Sequence, residues 1–416
     1  MTVRGLTHDE ARGRMLLDAS KRFASAPNLL TRLISPGFRT MVRRIDAGLE
    51  RGSLLAHLPD GTTQTLGGRA PGFDAEIELR DWRSLLRLAA GGVIGFYQGY
   101  EAGEWETPDM VALLALMSAN VRDLGDATRS TGPFKWAATL AHKMNRNSKA
   151  GSLRNIAAHY DLGNDFYRAW LDPSMAYSSG LAVSGDELEL SQRCKFAALS
   201  ERIGVPETVL EIGCGWGSLA EHIGQQGAQV TAISLSKEQL SYARARGHPN
   251  VDFQKLDYRD VHGRYDAIVS CEMVEALGRE YWPDFMDCVA RNLAPGGRAA
   301  IQYISIADDL FDAYAQTVDF IQAYIFPGGM LIRTSEFRAL AEERGLEWCD
   351  QADFGHDYAE TLRLWHANFD AAAHEKRLPA GFDKRFVRLW KFYLAYCEAG
   401  FRAGNIDVHQ VTLVKS

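Results

Sequence analysis

Long apolar runs and paired cysteines are both missing from this sequence of 416 residues. Without an apolar run of about 18 residues, the sequence predicts no membrane-spanning helix. The six cysteines form no CxxC pair and have no metal-ligand spacing, so we expect reduced thiols and no metal site. The N-terminal segment is charged throughout, unlike a signal peptide. These absences together predict a cytoplasmic protein.

An excess of positive charge is also missing, since a net charge of −7 argues against nucleic acid as a partner. One segment departs from this balance, because no acidic residue lies between Asp126 and Asp161. Its basic side chains are interleaved with bulky apolar ones: Arg129, Phe134, Lys135, Trp136, Leu140, Lys143, Met144, Arg146, Lys149 and Arg154. Such a mixture suits an anionic membrane surface, although a solvated linker helix fits the composition equally well.

The chain is longer than one typical core requires, so we expect two domains. Residues 1–125 predict a small α+β domain. In this part "GSLLAHLPDGTTQTLGG" has the pattern of a hairpin, "FDAEIELRDW" adds a strand, and two segments with helical periodicity follow. The basic segment, 126–154, would link this domain to a second domain over residues 155–416.

Strands alternate with helices from "TVLEIGCG" to "RAAIQYISI" in the second domain. This order predicts an α/β fold with a mostly parallel, doubly wound sheet. Ligands of such sheets bind at the carboxyl ends of the strands. One predicted strand ends in "SCEMVEALG", which brings Glu272 and Glu275 to that edge.

A glycine-rich turn in "VLEIGCGWGSL" follows the first of these strands and contains Gly213, Gly215 and Gly217. A P-loop is excluded because the turn has no lysine. A dinucleotide fingerprint is disfavoured, because position 218 is serine and the next strand, ending "ISLS", has no acidic residue. The pattern E-x-G-x-G-x-G favours S-adenosylmethionine, with a turn that binds no ligand as the alternative.

Six motifs occur in register: "HYDLGNDFY", "LDPSMAYSSG", "VLEIGCGWGSLAEHI", "SLSKEQ", "YIFPGGML" and "FGHDYAETLRLW". Over roughly residues 150–412 the sequence resembles the cyclopropane-fatty-acyl-phospholipid synthase family, including the mycolic acid cyclopropane synthases. The resemblance implies a class I methyltransferase Rossmann-like fold and S-adenosylmethionine as cofactor. It also implies a homodimer, peripheral on the inner membrane face, whose N-terminal domain captures lipid.

Cofactor contacts follow from the resemblance at nine positions: Tyr177, Ser178, Gly213, Gly215, Leu235, Gln239, Asp257, Tyr258 and Cys271. Tyr177 and Ser178 would lie near the methionine moiety, and the two glycines would form the floor. Leu235 and Gln239 would lie at the ribose, and Tyr258 near the adenine. Core packing is the alternative for Leu235, and an ordinary exposed ring is the alternative for Tyr258.

The reaction implied by the resemblance adds a methyl group to a cis double bond of an acyl chain and leaves a carbocation. Aromatic faces suit that charge, and the Phe and Tyr residues of "FDAYAQTVDFIQAYIFPGG" can line an apolar channel or be plain core. The family's proton acceptor is a bound bicarbonate. Of the residues that hold it, Glu275 and Tyr358 match, whereas Ser179 replaces a cysteine and Tyr303 replaces a histidine. A further histidine, which follows the glutamate in the family, is Ala276 here.

These replacements bear on the product. A base close to the new methyl group closes a cyclopropane ring; otherwise the cation shifts a hydride and loses a proton to give a methylene- or methyl-branched chain. We favour branching, with Ser179 and Tyr303 among the catalytic residues and bicarbonate at an altered site. For Glu272 we favour capping of the next helix over contact with the cofactor's amine.

Two other functions remain open at this point. A soluble small-molecule methyltransferase would need neither the N-terminal domain nor the basic segment. A non-catalytic lipid-binding protein would not need the intact glycine turn or Glu275. None of the weighed histidines, His159, His222 and His356, has a neighbour in the sequence that suggests a metal.

Overall fold

The computed structural model describes residues 12–17, 35–125 and 162–416. The basic segment 126–154 and His159 lie outside the described residues. The chain divides into two compact units: Met1–Met144 with Asp312–Pro327 and Ala380–Asn405, and Asn145–Phe311 with Gly328–Pro379 and Ile406–Ser416. From the sequence, residues 312–327 and 380–405 were expected in the second domain, whereas the structure groups them with the first unit.

The α-helices of the described residues, in chain order, are α1 (Arg14–Leu17), α2 (Ser35–Gly48), α3 (Arg83–Glu101), α4 (Met110–Ala119), α5 (Val121–Leu124), α6 (Asn164–Arg168), α7 (Leu188–Ile203), α8 (Ser218–Gln225), α9 (Lys237–Arg246), α10 (Trp282–Asn292), α11 (Asp308–Ala315), α12 (Thr334–Glu342), α13 (Gly355–His374) and α14 (Lys384–Arg402). The strands are β1 (Arg51–His57), β2 (Thr63–Gly67), β3 (Ala70–Leu79), β4 (Trp105–Glu106), β5 (Thr208–Ile212), β6 (Gln229–Ser234), β7 (Val251–Lys255), β8 (Tyr265–Cys271), β9 (Leu293–Ile306), β10 (Leu346–Asp353) and β11 (Ile406–Lys415).

A four-stranded sheet in the order β2-β1-β3-β4 forms the centre of the first unit. The predicted hairpin is confirmed, because β1 and β2 pair antiparallel with His57 opposite Thr63. Its turn is fixed by Asp60, whose carboxylate accepts hydrogen bonds from the Thr62 amide and hydroxyl at 3.1 and 2.6 Å. The predicted third strand pairs with β1 in parallel, and the two predicted helices are α3 and α4.

A seven-stranded sheet in the order β10-β11-β9-β8-β5-β6-β7 forms the second unit. The predicted α/β fold is confirmed, since β5, β6, β7, β8 and β9 pair in parallel. Strands β10 and β11 add an antiparallel edge that was not identified from the sequence. The order reverses at β5, which has β6 on one side and β8 on the other. Open α/β sheets bind ligands at such a switch point.

Helix α7 packs on this sheet through side chains three or four positions apart, among them Gln192, Lys195 and Leu199, each 0% exposed. Leu199 belongs with Val209, Val230 and other apolar side chains to the core of the unit. Gln192 and Lys195 are polar groups on the same buried face. In the part of the chain that the structure describes, no helix is both long and apolar enough to span a bilayer.

Candidate active site

The carboxyl ends of β5, β6 and β8 meet the segment 177–180 and the start of α13 in one site of the second unit. Parallel strands direct these ends to one edge of the sheet. The site contains a glycine turn, a pair of glutamates and a group of aromatic rings.

The glycine turn after β5 keeps its shape because three glycines adopt positive φ: Gly213 at 86°, Gly215 at 53° and Gly217 at 92°. A Cβ atom at Gly213 would lie 2.5 Å from Cγ of Met273, and one at Gly217 would lie 2.8 Å from the Phe253 ring. At Gly215 the nearest atom would be Nε2 of Gln239, 3.9 Å away. Gly213 and Gly217 therefore allow close packing, whereas Gly215 leaves an open floor.

Gln239 faces this floor from the start of α9. Ser236 caps the helix by accepting a hydrogen bond from the Gln239 amide at 3.2 Å. The Ser234 hydroxyl donates to Oε1 of Gln239 at 3.3 Å, which leaves Nε2 toward Gly215. The structure therefore brings two of the predicted cofactor residues together, and Leu235 lies half-buried between the two serines.

Tyr258, in the turn after β7, is buried, which rules out an ordinary exposed ring. Burial raises the pKa of its hydroxyl, and no described residue forms a hydrogen bond with this group. The neighbouring Asp257 is bound by Arg259 through two hydrogen bonds of 2.8 and 2.7 Å. The ring of Tyr258 lies 6.1 Å from that of Phe285. A buried polar atom without a partner is the feature expected where a ligand completes the site.

Glu272 is the centre of the hydrogen-bond network. Its Oε1 atom accepts hydrogen bonds from the Ser179 amide at 2.9 Å and from the Gln302 side chain at 2.7 Å. Its Oε2 atom lies 2.8 Å from the Tyr358 hydroxyl. The expectation that Glu272 caps a helix is wrong, because the 3-10 helix that follows, Val274–Ala276, begins after Met273 and has no side-chain cap.

The backbone of Glu272 has an unusual conformation, with φ at 48°. A residue other than glycine adopts this left-handed backbone conformation at a cost in free energy, and such residues concentrate at functional sites. The turn directs the carboxylate from the end of β8 to Ser179 and Tyr358, two predicted site residues. The hydroxyl of Ser179 itself donates to the Gly180 carbonyl at 2.7 Å, so its backbone amide is the group that binds Glu272.

Glu275 lies one turn further along and is also partly buried. Its Oε1 atom accepts a hydrogen bond from the Ile304 amide, while Oε2 has no hydrogen-bond partner among the described residues. Burial and the charge of Glu272 raise the pKa of Glu275 to about 8. The two glutamates are therefore coupled, with Glu275 carrying its proton at neutral pH.

Lys195 was missed by the sequence analysis. Its side chain is 0% exposed, and Nζ donates a hydrogen bond to the Ser178 hydroxyl. Burial raises the pKa of Glu272, and the charge of Lys195 opposes that rise, as do the three hydrogen bonds to the carboxylate. A lysine on the core-facing stripe of α7, beside Gln192, was the signal in the sequence. Burial raises the pKa of the nearby Cys271 thiol to about 12.

Aromatic rings continue the site from Tyr358. The ring of Trp365 lies 6.1 Å from Tyr358, edge to face, and 5.3 Å from Tyr177. Tyr177 also contacts Tyr167 at 5.4 Å and Trp170 at 5.7 Å. Aromatic faces attract cations. The cluster therefore joins the predicted methionine-binding residue Tyr177 to the Glu272 carboxylate.

Tyr303 was expected from the sequence at the same site as Glu275. Burial raises the pKa of its hydroxyl, and the charges of nearby carboxylates, Glu275 among them, add to that rise. Neighbouring residues of a strand point to opposite faces of the sheet, and Gln302 is the residue of β9 that binds Glu272. The ring of Tyr303 packs on Phe337 and His409 at 5.3 and 4.9 Å.

One group of described residues has the composition of a metal site: Asp353, Asp407 and His409 have ligand atoms within 4.8 Å of one another. The ring nitrogens of His409 already lie 2.7 Å from Asp353 and 2.6 Å from the Ser305 hydroxyl. Carboxylate and hydroxyl partners account for this histidine, and we assign no metal here.

The residues present fit S-adenosylmethionine: Gly215 and Gln239 leave an open floor, Tyr258 has an unpaired buried hydroxyl, and the aromatic cluster suits a sulfonium. A switch-point glycine turn without a phosphate-binding lysine, combined with these groups, defines a class I methyltransferase. The chain belongs to the mycolic acid cyclopropane synthetase family, whose model matches residues 147–411. This is a family of S-adenosylmethionine-dependent lipid methyltransferases and cyclopropane synthases.

Individual relatives cover most of the chain. The tuberculostearic acid methyltransferase UfaA1 of Mycobacterium tuberculosis is 38% identical over 79% of this chain and 80% of its own length. The cyclopropane-fatty-acyl-phospholipid synthase of Escherichia coli is 32% identical over 83% of this chain and 88% of its own length. The solved mycolic acid cyclopropane synthase CmaA1, complexed with SAH and CTAB, has a TM-score of 0.59 at 27% identity, covering 63% of this chain and 98% of that one.

Replacement of Gly213 by alanine tests the glycine turn. The new Cβ would collide with Met273 and would strain a φ of 86°. We expect Gly213→Ala to weaken S-adenosylmethionine binding at least about tenfold in isothermal titration calorimetry, because the turn and the 272–275 segment must move apart.

Gly227→Ala is the matched control. Its φ of 105° imposes a similar backbone penalty, but no atom lies within 4 Å of the added Cβ. This variant should lose about 1 kcal/mol of stability and keep its cofactor affinity. Equal affinity losses in the two variants would contradict the assigned role of the turn.

The pKa of Glu275 makes stability depend on pH. The unfolded chain ionises this residue near its ordinary pKa of 4.5, whereas the folded chain keeps the proton to about 8. Between these values the folded state binds the extra proton, so its stability falls as pH rises, by up to about 1.4 kcal/mol per pH unit. Glu275→Gln removes this penalty.

Calorimetric unfolding of both proteins at about pH 5.5 and about pH 8 provides the measurement. The unfolding temperature of Glu275→Gln, relative to the wild type, should rise between the two pH values. Glu201→Gln, at an exposed position of α7, should show no such rise. A pH-independent difference for Glu275→Gln would show that the carboxyl is ionised in both states.

Proposed function

We propose that this protein transfers a methyl group from S-adenosylmethionine to the cis double bond of an unsaturated fatty acyl chain in a membrane phospholipid. The observation that supports this most is the continuous arrangement of the glycine floor, the aromatic cluster and the Glu272 carboxylate at one switch point. Bound S-adenosylmethionine supplies an electrophilic methyl group. The chain must then hold a cationic acyl chain and remove one proton from it.

The aromatic cluster suits the first task. Tyr177 is half-buried and offers a ring face that stabilises positive charge without a nucleophile to trap it, while the buried rings of Trp170 and Trp365 pack around it. The network of Glu272 suits the second task, because a buried carboxylate with a raised pKa is a more effective base than an exposed one. Glu275, as a neutral acid, adds no second charge.

The product we propose is a methylene- or methyl-branched chain that retains one double bond. The relative named as a tuberculostearic acid methyltransferase is 38% identical, against 32% for the cyclopropane-fatty-acyl-phospholipid synthase. In the site, the backbone amide of Ser179 binds Glu272, and Gln302 donates to the same carboxylate. We infer that Ser179 and Tyr358 thereby bind a side chain of the protein in place of a separate anion. Ring closure remains the second candidate, supported by the family and by the Escherichia coli relative.

The family resemblance and the geometry of the site also support an assignment of residues to the parts of the cofactor. We propose that Tyr177, Ser178 and Cys271 lie at the methionine moiety, Gly213 and Gly215 below it, and the remaining contacts at the nucleoside: Leu235, Gln239, Asp257 and Tyr258. Tyr358 and the Ser179 amide position the Glu272 carboxylate. We further propose that the first unit captures lipid and that the protein docks on an anionic membrane. We also propose that it forms a homodimer.

Liposome methylation tests the proposal. Purified protein, S-adenosylmethionine carrying a ¹³C methyl group and vesicles of dioleoylphosphatidylglycerol should give labelled acyl chains in mass spectrometry. NMR of the products should show the label either as an olefinic =CH2 carbon or as a methyl branch on a chain that retains a double bond, whereas a labelled cyclopropane carbon would favour ring closure instead. Methylation of small soluble acceptors without labelled lipid would contradict the lipid substrate, and cofactor binding without any transfer would indicate a lipid carrier.

A further inference from the structure

We propose that the Glu272 carboxylate is the base of this reaction, and that its Oε2 atom takes the proton that the methylated acyl chain loses. The inference rests on the proposed function and extends it, because it places the base within the protein chain rather than in a bound bicarbonate.

A series of hydrogen bonds that begins at Arg202 determines which groups donate to Oε1 of Glu272. Arg202 can only donate, and its Nε lies 3.2 Å from Oε1 of Gln410. The Gln410 amide nitrogen must then donate to Oε1 of Gln302 at 3.0 Å, which leaves the Gln302 nitrogen to donate to Glu272. The Ser179 amide is a second obligate donor to the same atom. A proton on Oε1 is therefore excluded.

Oε2 is the atom of Glu272 that can change its protonation. Its partner is the Tyr358 hydroxyl at 2.8 Å, which can donate to a carboxylate and accept from a carboxylic acid. When Oε2 takes a proton, rotation of this hydroxyl preserves the hydrogen bond. Tyr358 thus accommodates both states of Glu272 as a positioning residue.

The position of Glu272 gives it access to the reacting chain. Glu272 is half-buried, follows the last residue of β8, and adjoins Met273, which packs at the glycine turn. From Oε2 the contacts run through Tyr358 and Trp365 to Tyr177, the proposed neighbour of the methionine moiety. A cationic chain held at the half-buried ring of Tyr177 would therefore be linked to the carboxylate by two ring contacts and one hydrogen bond.

Glu275 is less suited to this role. Its Oε1 is held by the Ile304 amide, and its pKa of about 8 keeps the proton in place at neutral pH. Two carboxyls in one site rarely ionise together. Glu272 has three hydrogen-bond donors and the nearby charge of Lys195, so we assign the ionised state to Glu272.

The proton transfer is balanced within the site. The base breaks a C–H bond of the cationic chain, and the electron pair of that bond forms a new carbon–carbon bond: a double bond for a branched product, or the last ring bond for a cyclopropane. Oε2 becomes protonated and releases the proton to solvent after the product leaves. The step requires no bicarbonate, oxidant or reductant.

Rate measurements on Glu272→Gln test the base directly. The amide keeps the size of the side chain and cannot accept the proton, so methylation of oleoyl phospholipid vesicles should fall at least about 100-fold. Calorimetric binding of S-adenosylmethionine, measured on the same protein, should remain within a few fold of the wild type. Glu201→Gln, an exposed carboxylate in the same unit, is the matched control for the loss of one charge.

A second experiment tests whether the reaction depends on bicarbonate. The wild-type rate should not change in buffer freed of carbon dioxide. Glu272→Gly relaxes the backbone at a φ of 48° and opens space at the site. This variant should be inactive in the same buffer and should recover at least about tenfold when formate or bicarbonate is added.

Infrared difference spectra of wild type minus Glu272→Gln provide a readout without lipid. They should show an ionised carboxylate at neutral pH. A protonated Glu272, a wild-type rate that requires bicarbonate, Glu272→Gln with more than a tenth of the wild-type rate, or no rescue of Glu272→Gly would overturn the inference. If the wild type methylates no lipid, the proposed function fails, and the infrared spectra still decide the state of Glu272.

Discussion

A carboxyl group held away from bulk water, that of Glu272, is the constraint on which the candidate active site depends. Removing a carboxylate from water is costly unless donors and an opposite charge replace the solvent. Glu272 receives those donors from the Ser179 amide, from Gln302 on β9 and from Tyr358 on α13. Lys195, buried on α7, supplies the opposite charge. Four parts of the chain must therefore be in place before this carboxyl group has all its polar partners.

The need to supply hydrogen-bond donors to Glu272 also explains why polar side chains lie far from the edge of the sheet. Arg202 and Gln410 lie behind Gln302 and force its amide nitrogen toward Glu272. Without that order, Gln302 could rotate and present its oxygen to the carboxylate. A buried polar network is favourable only when every member is satisfied. The antiparallel edge strand β11, which carries Gln410, is thus part of the support of the site as well as of the sheet.

Much of the second unit could be predicted from the sequence, because alternating strands and helices have distinct periodicities and the glycine turn has a characteristic spacing. The roles of individual polar residues could not. Gln302 and Tyr303 are neighbours in sequence, yet a shift of one residue reverses the face of a strand. The role of Glu272 depends on a left-handed backbone and on donors 93, 30 and 86 positions away. The role of Lys195 could not be predicted before the packing of α7 on the sheet was known. Residues 312–327 and 380–405 follow tertiary packing rather than sequence order.

A crystal structure of the protein with S-adenosylhomocysteine, grown with bicarbonate present, tests the central claim most directly. We expect the nucleoside above Gly215 and Gln239, with the sulfur near Tyr177. We also expect the Glu272 carboxylate to keep its contacts to Ser179, Gln302 and Tyr358. A bicarbonate ion bound to Ser179 and Tyr358, with Glu272 turned away from them, would contradict the assignment of Glu272 as the base.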